Sequence, residues 1–326
     1  MSRRANTVYP SLGTDLKIFP QDIAGMIGLP YVGDVFYVDP NSGSDTANSG
    51  TSQDDALATV ATAYGKCTSG NHDVVIIAPT GGTGRTSETT AIDWAKRFTH
   101  LIGSSAPTMQ DARSGMNFSG TTGTASGSFT VSQNGCIFKN ITFTTSDDNN
   151  SFVTVTGDYN SFLGCDFKGA LNATTGDDTA ARALVITGAD ENYFGGCSIG
   201  SDTYNRSAAN ASLELTAGSA RNVFESCLFP AMADAATPIF VKAASAADID
   251  RFVWFKNCMF HNAAYSSSTT LTTAMSIHAA VGGSVILDGC SVLGVTDWST
   301  DYTAVTGCNM PDITAANAGF METIAT

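Results

Sequence analysis

Apolar and polar residues alternate along most of this chain in short bursts. FVTVTG (152–157), ALVITG (183–188), LELTAG (213–218), IFVKA (239–243) and AMSIHA (274–279) place apolar side chains at every second position. That is the period of a strand with one face buried. A second set of bursts follows at a fixed interval: NSFLGCDF (160–167), NYFGGCSI (192–199), NVFESCLF (222–229), VWFKNCMF (253–260) and VILDGCSV (285–292). Cys165, Cys197, Cys227, Cys258 and Cys290 are separated by 32, 30, 31 and 32 residues. Three positions before them stand Phe162, Phe194, Phe224, Phe255 and Leu287, and two after them Phe167, Ile199, Phe229, Phe260 and Val292. An earlier copy, IFKNITF (137–143), has Ile141 in the cysteine slot.

One such unit cannot bury its apolar face alone, so the units must stack as coils, with parallel strands about 4.8 Å apart. The pattern predicts an all-β, right-handed parallel β-helix in which like residues form vertical files. Each buried phenylalanine contributes roughly 1.5 to 3 kcal/mol of transfer free energy, which makes the phenylalanine file a principal source of stability. Asn160, Asn192 and Asn222, following Gly157, Gly188 and Gly218, are expected at a repeated tight corner that needs positive φ, with their amides bonded along the stack.

Before the repeats, DDALATVATAY (54–64) has Leu57, Val60, Ala61 and Tyr64 at helical spacing behind Ser52 or Asp54 as N-cap. A short N-terminal helix there would cap the first coil. VVIIAP (74–79) and THLIGS (99–104) read as the first strands. The predicted organisation is an extended arm over 1–35, the β-helix over 36–300 and a tail over 301–326.

Composition sharpens the functional classes. With 16 basic against 30 acidic residues and a net charge of −14, the chain lacks the basic clusters that bind phosphate, which argues against nucleic acid. No apolar run of about 18 residues is present to span a membrane, and MSRRANTVYPSLGTDLKIF has no apolar core of a secretory signal. The expected compartment is the cytoplasm.

Candidate chemistry centres on two acidic doublets. Asp147 and Asp148 precede one coil, and Asp177 and Asp178 the next, so the pairs can lie side by side with Arg182 near them. Paired carboxylates can hold Ca²⁺ or act as acid and nucleophile on a glycosidic bond, although Asp also populates the exposed turns of any acidic solenoid. His72, His100, His261 and His278 have no titratable partner at a fixed offset. No short Cys spacing of the C-x2-C kind occurs, so no metal and no cofactor are expected. The five file cysteines read as buried free thiols acting as small hydrophobes. Cys67, Cys136 and Cys308, outside the file, are the candidates for cross-links.

YVDPNSGSDTANSGTSQDDALATVATA (37–63), DVVIIAPTGG (73–82) and THLIG together resemble the opening of pectin-lyase-like right-handed β-helix proteins, especially those of tailed-bacteriophage particles. The likeness spans about residues 36–300. It implies a particle component (head decoration protein, fibre or spike) that is usually trimeric. The Gly-His-Gly and Arg-x-Lys strings of polygalacturonase-like relatives do not occur here. The expectation is therefore a virion protein, assembled in the host cytoplasm, that decorates and stabilises the capsid by contact and is not an enzyme. Its partners would be its own copies, as a homotrimer, and the major capsid protein, touched by Arg3, Arg4, Leu16, Ile18 and Phe19 of the arm. The alternatives are a spike that cleaves polysaccharide with Asp147, Asp148, Asp177 and Asp178, or a glycan-binding fibre presenting Tyr204, Tyr265 and Trp298.

Overall fold

The structure, a computed structural model, describes residues 24–25, 27–29, 32–80, 85–119, 128–145, 151–170, 174, 176–263, 269–311 and 313. Three parallel sheets run the length of a right-handed β-helix. The first has ten strands, from Val35–Val38 to Val305–Cys308. The second has eight, from Ile92–Trp94 to Val295–Ser299, and the third nine, from Thr86–Glu88 to Ser291–Leu293. A coil passes from the first sheet to the third, then to the second, and returns one layer further on. Ser161–Leu163, Asp166–Ala170 and Arg182–Thr187 form one such turn.

Registration is residue on matching residue. Phe162 pairs with Phe138 and Phe194, Phe224 with Phe194 and Phe255. Their rings stack at centroid spacings of 4.8, 4.7, 4.6 and 4.9 Å with planes within 12° of parallel. These spacings equal the ladder spacing, because each ring leaves the same strand position one coil higher. Phe143, Phe167, Ile199, Phe229, Phe260 and Val292 rise opposite them into the same core, with edge contacts such as Phe162–Phe167 at 5.6 Å.

The buried thiols do more than fill space. Sγ of Cys165, Cys197, Cys227, Cys258 and Cys290 each lies 3.2–3.4 Å from the carbonyl oxygen of Phe138, Phe162, Phe194, Phe224 or Phe255, one coil below. Each S–H is a weak donor to that carbonyl, a contact repeated coil after coil. Burial pushes the Cys197 thiol up. All eight cysteines carry free thiols, and Cys308 is exposed.

The corners differ from expectation in one residue. The Asn file is buried and extends the ladder: Asn160 N–H donates to Asn192 Oδ1 at 2.9 Å and Asn192 N–H to Asn222 Oδ1 at 3.0 Å. Positive φ falls on Gly188 (61°) and Gly218 (85°), as expected, and not on the Asn residues but on the residue before each, namely Tyr159 (57°), Glu191 (56°) and Arg221 (54°). A side chain at that position points outward, so its identity is free while the Asn behind it is fixed by the bond it makes.

The cap also shifts. Residues Gln53–Asp55 form a 3₁₀ turn, and Leu57 is extended, bridging Val38 with Leu57 N–H to Tyr37 O at 2.9 Å. Helix α1 therefore spans Val60–Lys66 and takes Thr59, not Ser52 or Asp54, as N-cap. The Glu88 carboxylate, reaching from the third sheet, accepts from Val60 N–H at 2.8 Å and Ala61 N–H at 3.2 Å, which satisfies two orphan donors of the helix. Tyr64 of α1 stacks on Trp94 at 4.1 Å and closes the first coil. Ile27 packs on the outside of the first sheet against Val74, Ile76 and Ile102, with Leu29 and Val32 beside it. Arg3, Arg4, Leu16, Ile18 and Phe19 fall outside the described residues. No helix among the described residues is long and apolar enough to cross a membrane.

The stacked file predicts a large core penalty. Phe224→Ala should cost about 3–5 kcal/mol in urea unfolding, whereas Met109→Ala, on an exposed loop, should stay within about 0.5 kcal/mol.

Candidate functional site

The outer face of the third sheet carries one file of Thr142, Asp166, Ser198, Leu228, Met259 and Ser291. Asp166 is the one ionisable member of this file, and it is 1 % exposed. Directly after it the ladder slips. Asp166 and Phe167 pair with Thr142 and Phe143, but Gly169 pairs with Thr144, so Lys168 is the extra residue of a bulge. A bulge re-aims the side chain it carries. Lys168 Nζ comes to 3.8 Å from Asp166 Oδ2.

A loop over 104–114 folds down on this pair. Ser105 N–H donates to Ser114 Oγ and Ser114 N–H to Ser105 Oγ, both at 3.1 Å, and clasp its ends. A Cβ on Gly103 would sit 2.0 Å from Asn140 O and 2.6 Å from Ser114 Cβ, so only glycine lets the loop leave the strand here. At the tip Asp111 has φ 62° and donates its N–H to Asp166 Oδ2 at 2.7 Å. Its carboxylate pairs with Arg85 and lies 3.6 Å from Arg113 Nη1 and 3.7 Å from Lys168 Nζ. Arg85 has room to reach it because its neighbour is bare: a Cβ on Gly115 would lie 3.2 Å from Arg85 Cδ.

Burial pushes the Asp166 carboxyl up to about 7, against the opposing pull of Lys168 and the Asp111 N–H. Its Oδ1 is buried without a hydrogen-bond partner, and so is Arg85 Nε. A carboxyl that changes charge near neutrality, one oxygen uncommitted, beside an ammonium, is the arrangement that moves protons.

Lys168 also borders an open cleft of about 50 Å³ whose lining includes Gly169, Arg182, Gly200, Tyr204 and Arg206. Arg182 is paired with Glu214 at 2.9 Å. Arg206 donates Nε to Asn210 Oδ1 at 2.8 Å and Nη1 to Ser212 Oγ at 3.1 Å. Among the described residues no carboxylate lies within ion-pair distance of it, and burial lowers its guanidinium to about 10. The cleft thus gathers three cations in a strongly acidic chain.

The acidic doublets are not this site. Asp177 accepts from Ser207 N–H and Oγ and from Ala208 N–H, and Asp178 from Ala180 N–H. Both close a turn; burial raises the Asp177 carboxyl, but those bonds outweigh it and hold it low. Asp147 and Asp148 lie outside the described residues, as does Tyr265. Trp298 is buried against Phe260 at 5.8 Å, and Tyr204 is 36 % exposed at the cleft. The histidines are not all scattered: His100 Nδ1 accepts Ile137 N–H at 3.1 Å, which leaves its Nε2 proton facing His72 Nδ1 at 3.2 Å. Among the described residues no group of His, Cys, Asp or Glu is placed to hold a metal.

Comparison with solved structures defines the class, a right-handed parallel β-helix of the pectin-lyase-like kind. Pectate lyase Pel9A aligns with TM-score 0.58 at 15 % identity, over 86 % of this chain and 69 % of that one. The pectin methylesterase of Aspergillus niger aligns with TM-score 0.53 at 15 % identity, over 90 % and 91 %. A Geobacillus virus E2 protein, ORF18, aligns at TM-score 0.45 and 12 % identity, over 85 % and 55 %, and adds no weight. No family model and no curated protein matches the sequence. The expectation of a chain that is not an enzyme is corrected here: the solved structures that share this architecture include a pectate lyase and a pectin methylesterase, and one fold hosts many chemistries, so the missing motif strings do not exclude catalysis.

Two titrations should register in stability. Asp166 is raised above its unfolded value, so its contribution is full below about pH 4 and is lost as pH rises through about 7. His100 is lowered to about 4, so its contribution is present above about pH 6.5 and is lost as pH falls toward that value. Asp166→Asn should therefore flatten the loss of urea stability between about pH 4 and 7. His100→Gln should flatten the loss between pH 6.5 and 4.

Proposed function

We propose that the chain processes a polysaccharide laid across the outer face of the third sheet, with Asp166 as the proton-carrying group. The observation that supports this most is the Asp166 carboxyl itself, buried, poised near neutrality, with one oxygen free, beside a lysine that a bulge has turned toward it. In its protonated form Asp166 can give its proton to the leaving sugar oxygen as the glycosidic C–O bond breaks and water adds to the anomeric carbon, the proton shed by that water returning to the carboxylate. Lys168 and Arg85 then face the carboxylate left behind and stabilise its charge. The kinship in fold with a pectate lyase and a pectin methylesterase supports a polysaccharide as the substrate class.

The setting we propose is a bacteriophage particle, as a self-associated spike or fibre, on the resemblance of residues 36–300 described above. A head-decoration role draws on the same resemblance and on no contact among the described residues.

Incubation of the full chain with a panel of bacterial surface polysaccharides and pectate, read as new reducing ends and as unsaturated ends, tests the reading. Cleavage is expected with an apparent pKa near 7, reduced at least about a hundredfold by Asp166→Asn. An inert wild type across the panel, or an unaffected Asp166→Asn protein, would sink it; unsaturated ends would distinguish elimination from hydrolysis.

A further inference from the structure

The Asp111 carboxylate is surrounded as a bound ligand would be. Three cations from three separate segments converge on it: Arg85 ahead of the first strand of the third sheet, Arg113 from its own loop, and Lys168 from the bulge. It stands at the tip of a loop that is exposed from Ala106 to Met109, and its own side chain remains 34 % exposed. A non-glycine residue is uncommon in the left-handed region, though Asp tolerates it better than most. Here that conformation is what turns the Asp111 N–H onto Asp166.

Beneath the loop lie two buried polar atoms without partners, Asp166 Oδ1 and Arg85 Nε. Both belong to groups that Asp111 touches. Such atoms are costly to leave unpaired, and a ligand group in place of Asp111 could engage them. Beside this seat, across Lys168, the cleft holds Arg206 without a carboxylate partner among the described residues. Two cationic seats on the same face, sharing one lysine, fit a chain that bears a negative charge on more than one residue.

We infer that Asp111 is a built-in occupant of a seat for an acidic sugar, so that this face recognises an anionic polysaccharide whose carboxylate displaces the loop tip from Arg85, Arg113 and Lys168. This rests on the polysaccharide reading above and names its substrate class. The loop then acts as a competitor in equilibrium with ligand. Its removal raises the fraction of protein competent to bind, and apparent affinity rises by the inverse of that fraction.

Titration calorimetry of the full chain with an oligouronate, with its methyl ester (the same backbone without charge) and with sodium acetate tests the inference. Asp111→Asn is expected to tighten oligouronate binding about tenfold and to leave the ester unchanged. Arg206→Gln and Tyr204→Glu, the latter placing a carboxylate at the cleft mouth, are each expected to weaken it by a similar factor. Equal affinity for acid and ester, or an Asp111→Asn protein that binds the oligouronate no better, would overturn the inference. So would acetate alone saturating the site with no added affinity from the sugar chain. Should Asp111→Asn fail to fold, hydrogen exchange of the wild-type Asp111 amide decides: faster exchange at saturating oligouronate supports displacement, and unchanged protection defeats it. Binding without cleavage would leave this inference standing and dispose of the catalytic reading; cleavage of acid and ester alike would do the reverse.

Discussion

Everything in this molecule depends on the lateral hydrogen bonds that hold each coil in register over the one below. Because the ladder fixes matching residues about 4.8 Å apart, a phenylalanine at one strand position stacks on the phenylalanine of the next coil, and a cysteine meets the same carbonyl five times over. The core is assembled from repeated pairwise contacts between adjacent coils. Irregularity on the outside is tolerated because the inside repeats.

That division of labour explains where the chemistry sits. Inward positions are constrained by their files, so variation collects at outward positions and in the excursions between sheets. Asp166 and Phe167 show the contrast: adjacent in sequence, one faces solvent-side chemistry and the other continues the aromatic file. The bulge at Lys168 disturbs only the outer face, since Phe167 stays in register with Phe143 before the slip. A single inserted residue thus re-aims a charged side chain without disturbing the core.

The electrostatics follow from the same geometry. A chain of net charge −14 repels anions at long range, yet it concentrates Arg85, Arg113, Lys168, Arg182 and Arg206 on one lateral face around the third sheet. Burial under the loop makes the field there strong, because little solvent screens it, and it lifts the Asp166 carboxyl to about 7. The two acidic doublets, conspicuous in the sequence, are by contrast solvated turn residues where they are described, their oxygens used by neighbouring backbone N–H groups.

The sequence by itself determined the coil, because a repeat of about 31 residues with alternating apolar positions has one economical way to bury itself, and the Cys165 and Phe162 files could be read from spacing alone. Asp166 was legible in principle as an acid in a file otherwise of Thr, Ser, Leu and Met. What tertiary structure alone decided is who faces it. Asp111 lies 55 residues before Asp166 in a loop outside the repeat, and Glu88 caps a helix 28 residues earlier. Such meetings depend on how non-repeating excursions fold back over the stack, and no periodicity encodes them. The helix start at Thr59 was settled the same way, by Leu57 pairing with Val38, since a ladder bond across coils outweighs local helical spacing.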